Sequence, residues 1–230
     1  MHALRRRMPV LVALLATLVV MSACMPLPRV IAPGAAPGYA PGIAPGIAPK
    51  STRVLDRRAI GVSLYGSVLA WSRADLERDL DRVRAMGATW VRIPFNWVTL
   101  EMHGRGQYEW ASADRIVAAA NARHLHIDAV VSYTPGWARP AGRPGTDAPT
   151  NLDDYARFMH AIVARYAPRG VHTWEVWNEP NLVSMWTPKP NVARYTALLK
   201  KAYTAIKHAD HSSVVLTGGL SPGYDAPDRT

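Results

Sequence analysis

The chain has one cysteine, Cys24, in 230 residues. An intrachain disulfide is therefore impossible, and a metal site built on cysteines is excluded. His124, His126 and His172 form no ligand pattern and read as structural, so neither metal nor cofactor is expected. No Gly-x-Gly-x-x-Gly loop follows the first predicted strand, which speaks against an open dinucleotide-binding sheet. The apolar run near the N-terminus, Val10 to Met21, has 12 residues, too few for a comfortable membrane span. Glutamate is also missing from one whole stretch: after Glu179 the only acids are Asp210, Asp225 and Asp228.

That short run is preceded by Arg5, Arg6 and Arg7 and ends in Met21-Ser22-Ala23-Cys24. A basic segment, a short apolar core and small residues before a cysteine predict a signal peptide over residues 1–24. The final four residues resemble a bacterial lipobox, with Met21 where Leu is usual and Cys24 the lipidated residue; ordinary signal cleavage nearby is the alternative. Residues 25–52 form an Ala/Pro/Gly-rich linker in which Ala-Pro-Gly recurs from Ala32, Ala36, Ala40 and Ala44. Proline at every fourth position prevents helix and favours extended segments, so this is a tether. The expected location is exported, as a cell-envelope lipoprotein or a secreted protein. The net charge of +10 follows partly from this region, because residues 1–50 carry five cations and no acid. Removing those five from 27 leaves 22 cations against 17 acids, a net of +5 for the rest. The cations there are spread along amphipathic helices, so nucleic acid is not an expected partner.

From residue 53 onward, strand and helix patterns alternate, which predicts β/α architecture. Predicted strands are Ala59 to Tyr65, Thr89 to Ile93 closed by Pro94, Leu125 to Val131, Val171 to Trp177 and Ser213 to Thr217. Between them lie a helix capped by Ser72 and ended by Gly87, then helices at about 112–123, 152–166 and 192–208. Five β/α steps over about 170 residues match the repeat of a (β/α)8 barrel, which needs about 250 residues in all. The expected fold is α/β, an incomplete TIM barrel of about five units, with residues 53–230 its N-terminal portion.

The fourth strand carries Trp174-Glu175-Val176-Trp177-Asn178-Glu179-Pro180-Asn181. β-Branched and aromatic residues build the strand, and Pro180, lacking an N–H, stops it and should hold Glu179 extended. Asn178 and Glu179 then sit at the C-terminal end of a strand, where β/α enzymes keep their chemistry. A carboxyl group in an apolar, Trp-lined mouth can serve as a proton donor, and the adjacent carboxamide can bond a sugar hydroxyl.

This string resembles the acid/base signature of the clan A (β/α)8-barrel retaining glycoside hydrolases. The resemblance is closest to family 39 (xylosidase- and iduronidase-like enzymes), with family 5 cellulase-like enzymes next. Val91-Arg92-Ile93-Pro94-Phe95-Asn96-Trp97, Gly106 to Trp110, Ser132-Tyr133-Thr134-Pro135-Gly136-Trp137 and Thr217-Gly218-Gly219-Leu220 support it. The resemblance implies Glu179 as general acid/base and Asn178 as partner of the substrate 2-hydroxyl. It implies that Arg92 orients carboxylates; a structural ion pair with Glu175 is the alternative. Tyr133, Trp137 and Trp177 would stack on sugar faces, or else pack in the core. Asp128 is either a polar group of the barrel lumen or a charge near its base. In the clan the nucleophile is a Glu ending strand seven, and the chain offers no matching residue. The expectation is thus an exported glycosidase lacking its C-terminal part and inactive as it stands. A non-catalytic carbohydrate-binding surface lipoprotein, or a truncated product that folds poorly, are the competing readings.

Overall fold

The structure, a computed structural model, describes residues 60–64 and 68–222, all within the second of two units, Thr52–Thr230. The expected signal peptide with Cys24, the linker, Ala59, Tyr65, Asp225 and Asp228 lie outside the described residues.

Five parallel strands form one sheet in sequence order: β1 (Gly61–Ser63), β2 (Trp90–Asn96), β3 (His126–Ser132), β4 (Thr173–Val176) and β5 (Val214–Thr217). Helices α1 (Arg73–Ala85), α3 (Ala111–Asn121), α4 (Leu152–Tyr166) and α5 (Val192–Ala209) fill the connections. A single extra turn, α2 (Trp97–Leu100), follows β2 directly. Sequential order in an all-parallel sheet is the arrangement of a partial (β/α)8 barrel and matches the expected fold.

The helices begin where their polar side chains satisfy free N–H groups. Ser72 accepts from the Asp75 N–H at 3.1 Å while its hydroxyl donates to the Asp75 carboxylate at 2.6 Å. Asn151 and Asn191 cap α4 and α5 in the same manner, accepting from Asp153 and Arg194. A cap is worth roughly 1 kcal/mol, whereas each fully buried Leu, Ile or Phe contributes roughly 1.5–3 kcal/mol. Packing therefore dominates. One sheet face, with Val91, Ile93 and Phe95 of β2 and Ile127, Ala129 and Val131 of β3, is buried against apolar stripes that include Leu76, Ile116, Phe158 and Ile162.

The opposite face carries Arg92, Pro94 and Asn96 of β2, Asp128, Val130 and Ser132 of β3, and Thr173 and Glu175 of β4. Registry lines Arg92 up with Asp128 and Thr173, and Val130 with Glu175 and Leu216. This is the face that a closed barrel turns inward, so charged residues gather where the lumen lies.

β2 does not end at Pro94, as expected, but runs on to Asn96. The reason is geometric. The Leu64 N–H bonds the Arg92 carbonyl, so Arg92 directs its backbone groups toward β1, and Pro94, two residues on, faces the same side. The last β1 pairing is Ser63 with Arg92, so Pro94 lies beyond it and its missing donor costs nothing there.

Candidate active site

The end of β4 does not follow a simple extended path. Trp177 (φ 72°) and Glu179 (φ 46°) both occupy the left-handed region, as does Tyr133 (φ 67°) at the end of β3. Bulky residues avoid that region at a cost of order 1–3 kcal/mol, and such strain persists only where neighbours fix it. Here they do. The Trp177 N–H donates to the Val131 carbonyl, the Glu179 N–H to the Gly219 carbonyl, and the Leu182 N–H to the Glu179 carbonyl. The expectation that Pro180 holds Glu179 extended is thereby corrected: tertiary hydrogen bonds override the local pre-proline preference.

Below the turn lies a partly buried ion pair. Arg92 donates from Nε to Glu175 Oε2 at 2.7 Å and from Nη2 to Glu175 Oε1 at 2.8 Å. Nη2 also donates to Asn178 Oδ1 at 2.9 Å, and the Gly219 N–H donates to Glu175 Oε1 at 2.7 Å. Glu175 is almost fully buried, its charge matched by this fork and by a backbone amide. Arg92 thus forms the ion pair with Glu175 and also reaches Asn178. Because guanidinium only donates, it fixes which end of the Asn178 carboxamide is oxygen, and the amide NH2 has no hydrogen-bond acceptor among the described residues.

Asp128, paired in register with Arg92, carries a carboxyl raised from the ordinary 3.8 to about 7. Burial is the main cause, the Glu175 charge adds to it and Arg92 opposes it. Its Oδ1 is buried without a hydrogen-bond partner. Asp128 is therefore a lumen group, the first of the two possibilities its position allowed. The Asn96 Oδ1, at the mouth of the same face, is likewise buried without a partner.

Glu179 itself is partly exposed, and its charge acts on Arg92. No described residue donates a hydrogen bond to its carboxylate. A partly exposed carboxyl within electrostatic reach of Arg92, and free of donors from the described residues, can exchange a proton with a ligand.

The aromatics divide. Trp177 is fully buried, donates from Nε1 to the Met185 carbonyl at 2.8 Å and packs edge-on against Trp186, so its placement is that of a core ring. Trp137 donates to the Glu101 carbonyl and has the Arg105 and Arg157 guanidinium carbons each 5.7 Å from its ring centroid. These cations already occupy its surroundings. Tyr133 stays partly exposed at the end of β3, its hydroxyl 3.6 Å from Met185 Sδ. Of the three, it is the one at the mouth beside the β4 turn, its ring steeply inclined to that of Trp177.

Three supporting residues are not singled out by the sequence pattern. The Tyr195 hydroxyl, kept protonated by burial, donates to the Val176 carbonyl and accepts from the Gly218 N–H. Buried Asp147 accepts from Arg143 and Thr187 and so joins the segment after β3 to the segment after β4. Buried Glu101 accepts from Trp97 Nε1, the Gly106 N–H and Arg157, tying the segment after β2 to α4. Only the glycine pair after β5 carries a sequence signal, since close backbone approach is one use of glycine.

Comparison with known proteins agrees with this geometry. Residues 55–226 match the family model of Cellulase (glycosyl hydrolase family 5). No curated protein matches. Among solved structures, the chain is similar to a family 39 glycoside hydrolase from Bacteroides cellulosilyticus WH2, with 24% identity and a TM-score of 0.55 over 69% of this chain and 31% of that one. It is also similar to an exo-β-1,4-mannosidase from Opitutaceae bacterium strain TAV5, with 19% identity and a TM-score of 0.56 over 70% and 31%. A third is a family 5 subfamily 18 protein from Streptomyces cattleya, solved with GlcNAc, at 18% identity and a TM-score of 0.53 over 65% and 40%. These likenesses speak to fold, and the chain spans about a third of the length of the first of them. The sheet order, the charged lumen face and the match over residues 55–226 lead to one assignment: this chain belongs to the cellulase family, glycosyl hydrolase family 5, within the clan that its strand-four motif resembles.

Proposed function

We propose that the chain is part of an exported glycoside hydrolase that cleaves O-glycosidic bonds of a polysaccharide or oligosaccharide with retention. The observation that carries this reading is the placement of the partly exposed Glu179 next to Asn178, whose carboxamide is oriented by Arg92. Glu179 protonates the glycosidic oxygen as the bond breaks and then activates water as a base. The Asn178 amide donates to the 2-hydroxyl, a bond that tightens as positive charge develops on the sugar ring. Retention requires a second carboxylate about 5 Å from the first, and no glutamate follows Glu179 within the 230 residues. Glu175 is committed to Arg92 and Gly219.

The 230-residue chain alone should therefore give no turnover of activated aryl glycosides. Completing the barrel with the remaining strands of a full-length relative should give turnover with retained anomeric configuration. Retaining hydrolysis by the 230-residue chain itself would contradict the missing-nucleophile account. The leader belongs to the same proposal: Cys24→Ala should move the protein from the membrane fraction to the soluble exported fraction. Unchanged membrane attachment would remove the lipid anchor from the account.

A further inference from the structure

We propose that His160 and His208 form a two-histidine site for a divalent transition-metal ion bridging α4 and α5. His160 Nε2 and His208 Nδ1 face each other at 3.3 Å, with ring centroids 5.4 Å apart. Two imidazole nitrogens at that distance can share a proton or a metal ion. A tetrahedral zinc with bonds of about 2.0–2.1 Å spaces its nitrogen ligands by about 3.3–3.4 Å. The observed separation already has that bite, so the two rings need only turn their nitrogens toward a shared ion.

The helices hold the pair at this spacing. α4 and α5 pack along a continuous seam, and Lys201 meets Asp153 at 2.5 Å seven residues before each histidine. His208 is exposed and His160 only partly buried, so core packing does not explain the pairing. Among the described residues no third His, Cys, Asp or Glu joins them, so water completes the coordination sphere. The site is then open and exchangeable rather than a closed structural one. Its donors select ions that favour imidazole, copper(II), nickel(II) and zinc, over calcium and magnesium, which take oxygen ligands. α4 leads into β4 and α5 leaves it, so a bound ion would brace the unit that carries Asn178 and Glu179.

The test is a copper(II) titration of the 230-residue chain after chelator treatment, read by electron paramagnetic resonance, with thermal unfolding measured in zinc, nickel, calcium or magnesium. A signal with splitting from two imidazole nitrogens is expected. Zinc and nickel should raise the unfolding midpoint, and calcium and magnesium should not. His160→Gln and His208→Gln should each weaken copper binding at least tenfold, whereas His211→Gln should not. The double variant subtracts any copper bound elsewhere. In the unmutated protein, zinc should protect His160 and His208 from imidazole acylation. An unchanged copper signal in the double variant, or no protection of these two rings by zinc, would overturn the proposal.

Discussion

A carboxyl that folding keeps neutral makes stability fall as pH rises, the reverse of the usual carboxylate effect. Asp128 is such a group, its carboxyl raised by burial and by the Glu175 charge to about 7. Below about pH 4 it is protonated in both folded and unfolded chains, and its stabilising contribution is fully present. Between about pH 4 and 7 only the unfolded chain releases the proton, so stability declines by at most about 1.4 kcal/mol per pH unit and levels off above 7. Asp114, held low chiefly by its bond from Arg165, acts in the opposite sense and in a lower window. Asp128→Asn should therefore flatten the unfolding midpoint between pH 5 and 7 and raise it at pH 8. An unaltered pH profile would show that the lumen does not hold a neutral Asp128. At this scale the sequence revealed residue types and positions but not conformations. Arg92 and Glu175 were identifiable as a possible pair, whereas the left-handed turns at Trp177 and Glu179 depend on carbonyls of Val131 and Gly219, remote in sequence. The burial of Trp177 likewise comes from Trp186 and Met185, which sit in a segment without periodicity.

Among the elements, the exit of β5 determines how closely the chain can approach the β4 turn. A Cβ on Gly218 would meet the Trp177 carbonyl oxygen at 2.9 Å and the Val176 carbonyl oxygen at 3.0 Å. Gly218→Ala must push these backbones apart, straining the Gly219 bonds to Glu175 and Glu179. A loss of roughly 1–3 kcal/mol is expected, the usual cost of overpacking, with Gly136→Ala near neutral because nothing lies within 4 Å of its new methyl. Chemical denaturation of both variants checks this, and equal stabilities would refute the tight packing of the β5 exit on the β4 turn. The elements themselves were largely legible. α4 runs from Leu152 to Tyr166, the span expected from the sequence, and α1 starts at the Ser72 cap. Errors arose where tertiary context decides: Pro94 is accommodated because β1 has ended beside it, and α2 is a single turn too short to show periodicity.

For the whole molecule, the alternation of strands and helices was enough to anticipate the sheet order, and the motif at β4 pointed to a candidate site at the C-terminal end of that sheet. The polar supports at Tyr195, Asp147 and Glu101 were not legible, because each joins segments far apart in the chain by single hydrogen-bonding side chains. The central claim is that Glu179 donates the proton to the leaving group. It is tested most directly by Glu179→Gln in a barrel completed with the strands of a full-length relative, comparing kcat/KM on an unactivated oligosaccharide and on a dinitrophenyl glycoside. The account predicts a loss of about 10²–10⁴ for the oligosaccharide and little loss for the dinitrophenyl glycoside, whose leaving group needs no proton. Equal losses on the two substrates, or none on the oligosaccharide, would contradict it.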